Sequence, residues 1–148
     1  MLRPVDAQDA RFLRDLLRHA YHWRLNADPD LPVYRYVQNW GRRGDAGIVA
    51  FEGLNAYGAA WYRLFPAAEP GFGFVDEQTP ELTIAVVPSR RGKGAGVELL
   101  EALLERARAD GYGAVSLSTA KGQTGFYERF GFETVAETPQ AVTMVARL

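Results

Sequence analysis

The run Arg91-Gly92-Lys93-Gly94-Ala95-Gly96 has the residue types and spacing most suited to binding chemistry in this 148-residue sequence. Glycine has no Cβ, so a ligand can lie against the backbone. Where such a run opens a helix, successive N–H groups converge on negative charge with the helix dipole behind them. A phosphate or pyrophosphate would fit; the alternative is a glycine-rich strand-to-helix turn on a solvated surface. Two nucleotide sites are excluded by the wording of the motif. A P-loop requires G-x-x-x-x-G-K-[ST], and no Ser or Thr follows Lys93; a dinucleotide fingerprint requires G-x-G-x-x-G, and position 97 is Val. His19 and His22 have the i, i+3 spacing of half a metal site, but no third ligand accompanies them, and no metal is expected.

The elements around this run are legible from periodicity. Leu82-Thr83-Ile84-Ala85-Val86-Val87 is an apolar stretch of the kind buried on both faces of a sheet, ended by Pro88, and reads as the central strand. After the glycines, Val97, Leu100, Leu103, Leu104 and Ala107 form one stripe opposite Glu98, Glu101, Glu105 and Arg108. This predicts a helix from Gly94 to Asp110 with Gly111 as its cap. Upstream, Leu2 to Val5 reads as a strand, and Asp6 with Asp9 as a helix start. Leu13, Leu16, Leu17, Ala20 and Tyr21 make an apolar face running to about Trp23, broken by Asn26-Ala27-Asp28-Pro29-Asp30. Pro32 suits the first turn of a second helix that carries Val33, Tyr36, Val37 and Trp40 inward and closes at Gly41 and Gly44. Ile48–Phe51 and Tyr57–Phe65 form a hairpin about Glu52-Gly53-Leu54-Asn55. The stretch from Phe65 to Pro80 has no periodicity and reads as a substrate loop, where Asp76 and Glu77 could attract a cation. Ala114–Thr119 is a strand, Thr124–Phe130 a short helix stopped by Gly131, and Phe132–Glu137 with Ala141–Arg147 a closing strand pair. The order predicts an α/β fold, a mixed central sheet flanked by helices on both faces.

Length and a hydrophobic fraction of 47% predict a single domain over residues 1–148. A formal net charge of −1 provides no field for nucleic acid or an anionic membrane, so neither is expected as a partner and any anionic ligand must be held locally. Absence of cysteine rules out disulfides, thiolate metal sites and an acyl-cysteine intermediate. Neither a signal-peptide core nor a membrane-spanning stretch stands in the sequence, and a cytoplasmic protein is expected.

Val86-Val87-Pro88-Ser89-Arg90-Arg91-Gly92-Lys93-Gly94-Ala95-Gly96 resembles the cofactor signature of the GNAT superfamily, R/Q-x-x-G-x-G/A after a V-x-P strand end. A second superfamily signature, a strand followed by a short helix bearing F/L-Y-E-x-x-G-F, stands downstream as Phe126-Tyr127-Glu128-Arg129-Phe130-Gly131-Phe132. The order of elements before Leu82 resembles the family layout more weakly.

The resemblance implies a GNAT fold and transfer of an acetyl group from acetyl-CoA directly to a primary amine, the acceptor being a small molecule or a peptide. Backbone groups of Ile84, Ala85 and Val86 are implied to pair with the pantetheine arm, and the run Arg91, Gly92, Lys93, Gly94, Ala95, Gly96 and Val97 to hold the pyrophosphate, Lys93 by its charge. Tyr127 aligns with the family's tyrosine near the cofactor sulfur, where a phenol could protonate the departing thiolate; the alternative is a core aromatic beside Phe126 and Phe130. Glu81 opens the central strand where some members place a carboxylate general base acting through water, and otherwise would be a solvated strand end. Many members carry an Asn about seven residues before the tyrosine; Ala120 stands there, with Gln123 nearby. Two other classes of function stay open: a CoA-binding module without turnover, and a generic phosphate binder. A homodimer is compatible with the sequence.

Overall fold

The computed structural model describes residues 1–26 and 28–148. Its strands are β1 (Leu2–Pro4), β2 (Ala46–Glu52), β3 (Asn55–Arg63), β4 (Glu81–Val86), β5 (Ala114–Thr119), β6 (Phe132–Glu137) and β7 (Val142–Arg147). Its helices are α1 (Ala10–Ala20), α2 (His22–Leu25), α3 (Ala95–Ala109) and α4 (Thr124–Glu128). The strands form one sheet in the order β1-β2-β3-β4-β5-β7-β6, with β4 in the middle as expected.

Period-two alternation decides the layering. In β3, Ala59 and Trp61 turn to the face covered by α1, while Ala60 and Tyr62 turn to the face covered by α3. Leu13, Leu16 and Leu17 of α1 pack on the first face, and Leu99, Leu100, Leu103, Leu104 and Ala107 of α3 on the second. Each buried leucine is worth about 1.5–3 kcal/mol in transfer terms. The same alternation sends Leu82 of β4 into the α3 core and Ala85 into the α1 core. Glu81 and Thr83 share the Ala85 face.

One irregularity in the sheet creates the site. All strand pairs are antiparallel except β4 and β5, which are parallel and meet in a single register pair, Glu81 with Ser116. Ser116 donates its N–H to the Pro80 carbonyl at 3.0 Å, and beyond this point the strands part while β5 stays zipped to β7. A gap therefore opens towards the C-terminal end of β4.

The N-terminal region departs from the expected helix pair. Asp6 caps a short 3₁₀ turn with the predicted Asp9 reciprocating, but α1 breaks at Tyr21, where the backbone reaches φ −117°, before the single turn of α2. Ala27, within the predicted break, lies outside the described residues. The second helix expected from Pro32 is reduced to a 3₁₀ turn at Val33–Tyr36. Its carbonyls are taken by tertiary partners: the Arg63 guanidinium donates to the Arg35 carbonyl at 2.9 Å and to that of Gln38 at 2.7 Å, and Trp61 Nε1 donates to the Tyr36 carbonyl at 3.0 Å. A helical ladder cannot use the same acceptors as fully. Arg63 is itself buried against Asp45, with Nε and Nη2 at 2.9 and 2.7 Å from the two carboxylate oxygens, so the pair is anchored in the core and holds Tyr36 over β4. No helix among the described residues is long and apolar enough to cross a membrane.

Candidate active site

The glycine run links β4 to α3. After a turn at Pro88–Arg90, Gly92 and Gly94 take φ of +79° and +85°, the left-handed region where glycine is nearly free of strain. Gly94 is the N-cap of α3 and supplies no side-chain acceptor, so the first-turn N–H groups of the helix are left for another partner. A Cβ at Gly92 or Gly94 would meet nothing within 4 Å. The space in front is a cavity of about 250 Å³ lined by Arg91, Gly92, Gly94, Ala95, Gly96 and Val97 together with Val86, Arg90 and Phe126. Arg91 is fixed by a bond from Nε to the Val86 carbonyl, and Arg90 is tied to Glu52 at 2.6 Å and stacked on Tyr57. Lys93 is exposed and does not line this cavity.

Sharing Val86, Arg91, Gly96 and Phe126, a second cavity of about 450 Å³ continues along Ile84, Ala85 and Val86. This edge of β4 has no strand partner beyond Glu81, so its backbone groups face the gap. Ala120, where the resemblance calls for an Asn, lines the cavity, and so does Gln123. His19, His22 and Trp23 close its other side; among the described residues no three potential metal ligands cluster. At its inner end lies a small space of about 30 Å³, room for roughly one water, lined by Tyr21, Thr83, Ile84, Ser118, Thr119 and Tyr127.

Tyr127 thus stands at the closed end of a continuous groove that begins at the glycine run. Its ring is held edge-on by Phe126 and Phe132, with centroids 5.1 and 5.9 Å away. Burial pushes its hydroxyl up to about 12, which keeps it protonated at any ordinary pH.

Glu81 is not the solvated strand end that its position suggested. It is 1% exposed and does not line the narrow space beside Tyr127. Oε2 accepts the Tyr36 hydroxyl, and Oε1 has no hydrogen-bond partner of good geometry. The loop between β3 and β4 seals it. A Cβ at Gly71 would collide with Glu81 Oε1, and one at Gly73 would stand 2.5 Å from the Leu117 carbonyl carbon, so only glycines allow the loop to lie this flat on β4 and β5. Asp76 and Glu77 serve the loop itself, accepting the Gln78 and Ala67 N–H groups. A wider cavity, about 930 Å³, lies at the opposite end of the sheet, where Glu77 joins Arg43, Arg106 and Asp110, away from both signature motifs.

Burial pushes the Glu81 carboxyl from an ordinary value of 4.5 up to about 7, against the opposing pull of the Tyr36 hydroxyl, the Gly73 N–H and the nearby Arg35 and Arg24. Between these values the folded chain keeps a proton that the unfolded chain has released. Stability from this group is therefore complete below pH 4.5 and declines as pH rises through 7, by up to about 3 kcal/mol in total. Thermal melts of wild type and Glu81→Gln between about pH 5 and 8 check this. The wild-type melting temperature should fall across that range and the variant's should stay nearly level. Parallel curves would place the carboxyl in a far wetter setting.

Tyr21, Thr83 and the loop glycines were not singled out for the site by the sequence, whose periodicity placed Tyr21 in the apolar face of a helix. A polar residue at alternate positions of an otherwise apolar strand, Glu81 and Thr83, is the one local signal that could have pointed to a polar face there.

A family model, "Acetyltransferase (GNAT) family", matches residues 10–132. The L-methionine sulfoximine/L-methionine sulfone acetyltransferases of Pseudomonas paraeruginosa and Pseudomonas aeruginosa are each 42% identical to the chain over 65 residues, which is 42% of this chain and 38% of each relative. Among solved structures, ribosomal-protein-alanine N-acetyltransferase from Brucella melitensis superposes with a TM-score of 0.72 at 22% identity, covering 100% of this chain and 99% of that one. Salmonella typhimurium yncA with its cofactor acetyl-CoA superposes at 0.75 and 21% identity, covering 100% and 93%. The mixed seven-stranded sheet with helices on both faces is the fold these proteins share.

Proposed function

The chain belongs to the acetyltransferase (GNAT) family, and from that premise we propose that it transfers the acetyl group of acetyl-CoA directly to a primary amine. The observation that carries this reading is the continuous groove from an uncapped helix N-terminus, along the unpaired edge of β4, to Tyr127. It has the chemistry of the ligand in sequence: N–H donors and Arg91 for a pyrophosphate, free strand groups for the amides of the pantetheine arm, and a closed end for the thioester. The fit is supported by the empty shell that missing Cβ atoms leave at Gly92 and Gly94. Lys93 would contribute charge from outside the cleft, and Gln123 stands where it could take over the contact that Ala120 cannot make.

When bound, acetyl-CoA supplies an acyl carbon activated as a thioester; the N–C bond forms, the C–S bond breaks, the nitrogen loses a proton and the sulfur gains one. Ile84 to Val86 orient the arm, Tyr127 presents a neutral hydroxyl to the sulfur end, and Glu81 is the carboxylate that takes up the amine's proton. The Pseudomonas relatives are named for acetylating amino-acid derivatives, which makes small amines that carry a carboxylate the first acceptors to try. A need for acetyl-CoA supports a cytoplasmic setting for the activity.

A second reading, CoA binding without turnover, draws support from the complete burial of Glu81. Acetyl-CoA at 100 times its dissociation constant should add about 2.7 kcal/mol to the folded state, a rise of roughly 5–10 °C in melting temperature for a chain of this size. Free thiol release in the presence of an amine panel then separates transfer from mere binding. A shift with NADH or ATP and none with CoA compounds would overturn both readings.

A further inference from the structure

The break of α1 at Tyr21 sends two consecutive side chains of α2 to different places. Trp23 donates Nε1 to the Ala20 carbonyl at 3.1 Å and lines both the arm cavity and the narrow space beside Tyr127. Arg24 turns instead onto the loop between β3 and β4, with its guanidinium carbon 4.6 Å from the centre of the Phe72 ring. Phe72 meets the Tyr21 ring edge-on at 5.7 Å, and Tyr21 is a wall of the narrow space. Arg24 is thus one aromatic ring removed from the reacting end. Arg35 approaches the same Phe72 ring at 5.9 Å. Neither arginine forms an ion pair among the described residues. Asp28, four residues after Arg24, accepts the Asp30 N–H at 3.2 Å, and Asp76 and Glu77 of the loop accept the Gln78 and Ala67 N–H groups. The loop is fastened without Arg24, since Arg35 donates to the Pro70 carbonyl and the Phe72 N–H donates to the Tyr36 hydroxyl at 2.7 Å. Arg24 is half-buried and steadied on the Phe72 face, and among the described residues no protein acceptor takes its N–H donors. A guanidinium held in this way presents a planar fork that fits a carboxylate through two parallel bonds.

We propose that Arg24 anchors a carboxylate on the acceptor, so that the chain selects small amino acids, held with the amine towards the narrow space beside Tyr127 and the carboxylate on the Arg24 guanidinium. The proposal rests on the acetyl-transfer reading above and names the acceptor class for that site. Charge supports the same choice. A free amine arrives as an ammonium, and two cations flanking Phe72 oppose its entry. Burial raises the Glu81 carboxyl while Arg35 and Arg24 pull it down, so the field of both cations extends to the floor of the site. An acceptor that brings its own carboxylate offsets this field, whereas a diamine adds to the repulsion. Phe72 lies between the cations as an apolar surface for the acceptor's carbon atoms, and Arg35, tied to Pro70, keeps that surface in place.

The test measures free thiol release at saturating acetyl-CoA by wild type, Arg24→Gln and Arg24→Lys. The acceptors are L-methionine sulfone and the common amino acids, each beside its own carboxamide, with butylamine and 1,4-diaminobutane for comparison. In wild type the amino acid that reacts best should exceed its carboxamide in kcat/KM by at least about tenfold, although the carboxamide's amine is the more readily deprotonated of the two. Arg24→Gln should raise the KM for that amino acid by about 10–100-fold, with the loss in KM rather than kcat, so that the two acceptors come nearly level. A merely structural role for Arg24 would lower activity on both acceptors alike. Arg24→Lys keeps the charge without the fork and should keep only part of the preference, and it decides if Arg24→Gln fails to fold. A preference that survives either substitution in full, equal losses on both acceptors, or a wild-type preference for the carboxamide, butylamine or the diamine would overturn the anchor and leave acetyl transfer standing. Acetyl-CoA binding with none of these amines acetylated by wild type would instead overturn the acetyl-transfer reading, and the anchor with it.

Discussion

Gly96→Leu is expected to abolish acetyl-CoA binding while leaving the chain at least as stable as wild type. Gly96 is the second residue of α3 and is not among the glycines with positive φ, so its backbone accepts any side chain. A Cβ there would find Phe126 Cζ as its nearest neighbour at 3.6 Å, an ordinary contact. Leucine in a helix is favoured over glycine by about 0.5–0.8 kcal/mol, which offsets mild local crowding. Yet Gly96 lines both outer cavities, at the junction where the pyrophosphate end would turn into the arm. A leucine side chain fills that junction. Loss of at least about 100-fold in affinity would remove most of the roughly 2.7 kcal/mol expected at 100 times the wild-type dissociation constant, leaving about 0.4 kcal/mol or less. Gly92 and Gly94 are less clean targets, since a side chain at φ near +80° strains the free protein by about 1–2 kcal/mol before any ligand is considered. Thermal shift and equilibrium dialysis with acetyl-CoA check the prediction. A folded Gly96→Leu chain that keeps wild-type affinity would remove this groove from the cofactor's path.

What could be read from the sequence followed the range of the interactions. The α3 stripe, the β5 alternation and the Gly111 and Gly131 stops are local patterns, and the structure has them within a residue or two: α3 spans Ala95–Ala109, β5 spans Ala114–Thr119, and both glycines have φ of +88°. The glycine run was legible for the same reason, because a left-handed backbone at Gly92 and Gly94 is a demand that residue type alone can meet. The second helix failed because Arg63 and Trp61, some 25 residues away, take carbonyls around Tyr36, and no pattern in residues 32–40 announces them. The environment of Glu81 was invisible for a related reason. Its burial depends on Gly71 and Gly73 letting a distant loop lie against two strands, and its partner Tyr36 reaches it across 45 residues. Helical periodicity correctly put Tyr21 and Tyr36 inward, but could not say that a carboxylate would meet them there.

Tyr127→Phe should lower the rate of the chemical step by about 10²-fold and by the same factor at every pH between about 6 and 10. The phenol sits at the closed end of the groove, and its hydroxyl is raised to about 12 by burial alone, without a charged partner. Such a hydroxyl is too weak an acid to give up its proton early, but it is always present as a donor. Its effect grows as charge develops on the departing sulfur, and an interaction made mainly in the transition state is felt in kcat rather than in binding. Removing one such donor typically costs about 10²–10³-fold. Phenylalanine keeps the edge-on contacts to Phe126 and Phe132, so affinity for acetyl-CoA should hold. The pH-independence of the loss sets Tyr127 apart from Tyr36, whose replacement should displace the pH profile along with the Glu81 titration. Steady-state kcat can hide the effect if product release is slow, so single-turnover measurement of acetyl transfer is the decisive form. Equal single-turnover rates for wild type and Tyr127→Phe across the pH series would leave the tyrosine as a packing residue at the end of the groove, and the sulfur would then take its proton from water.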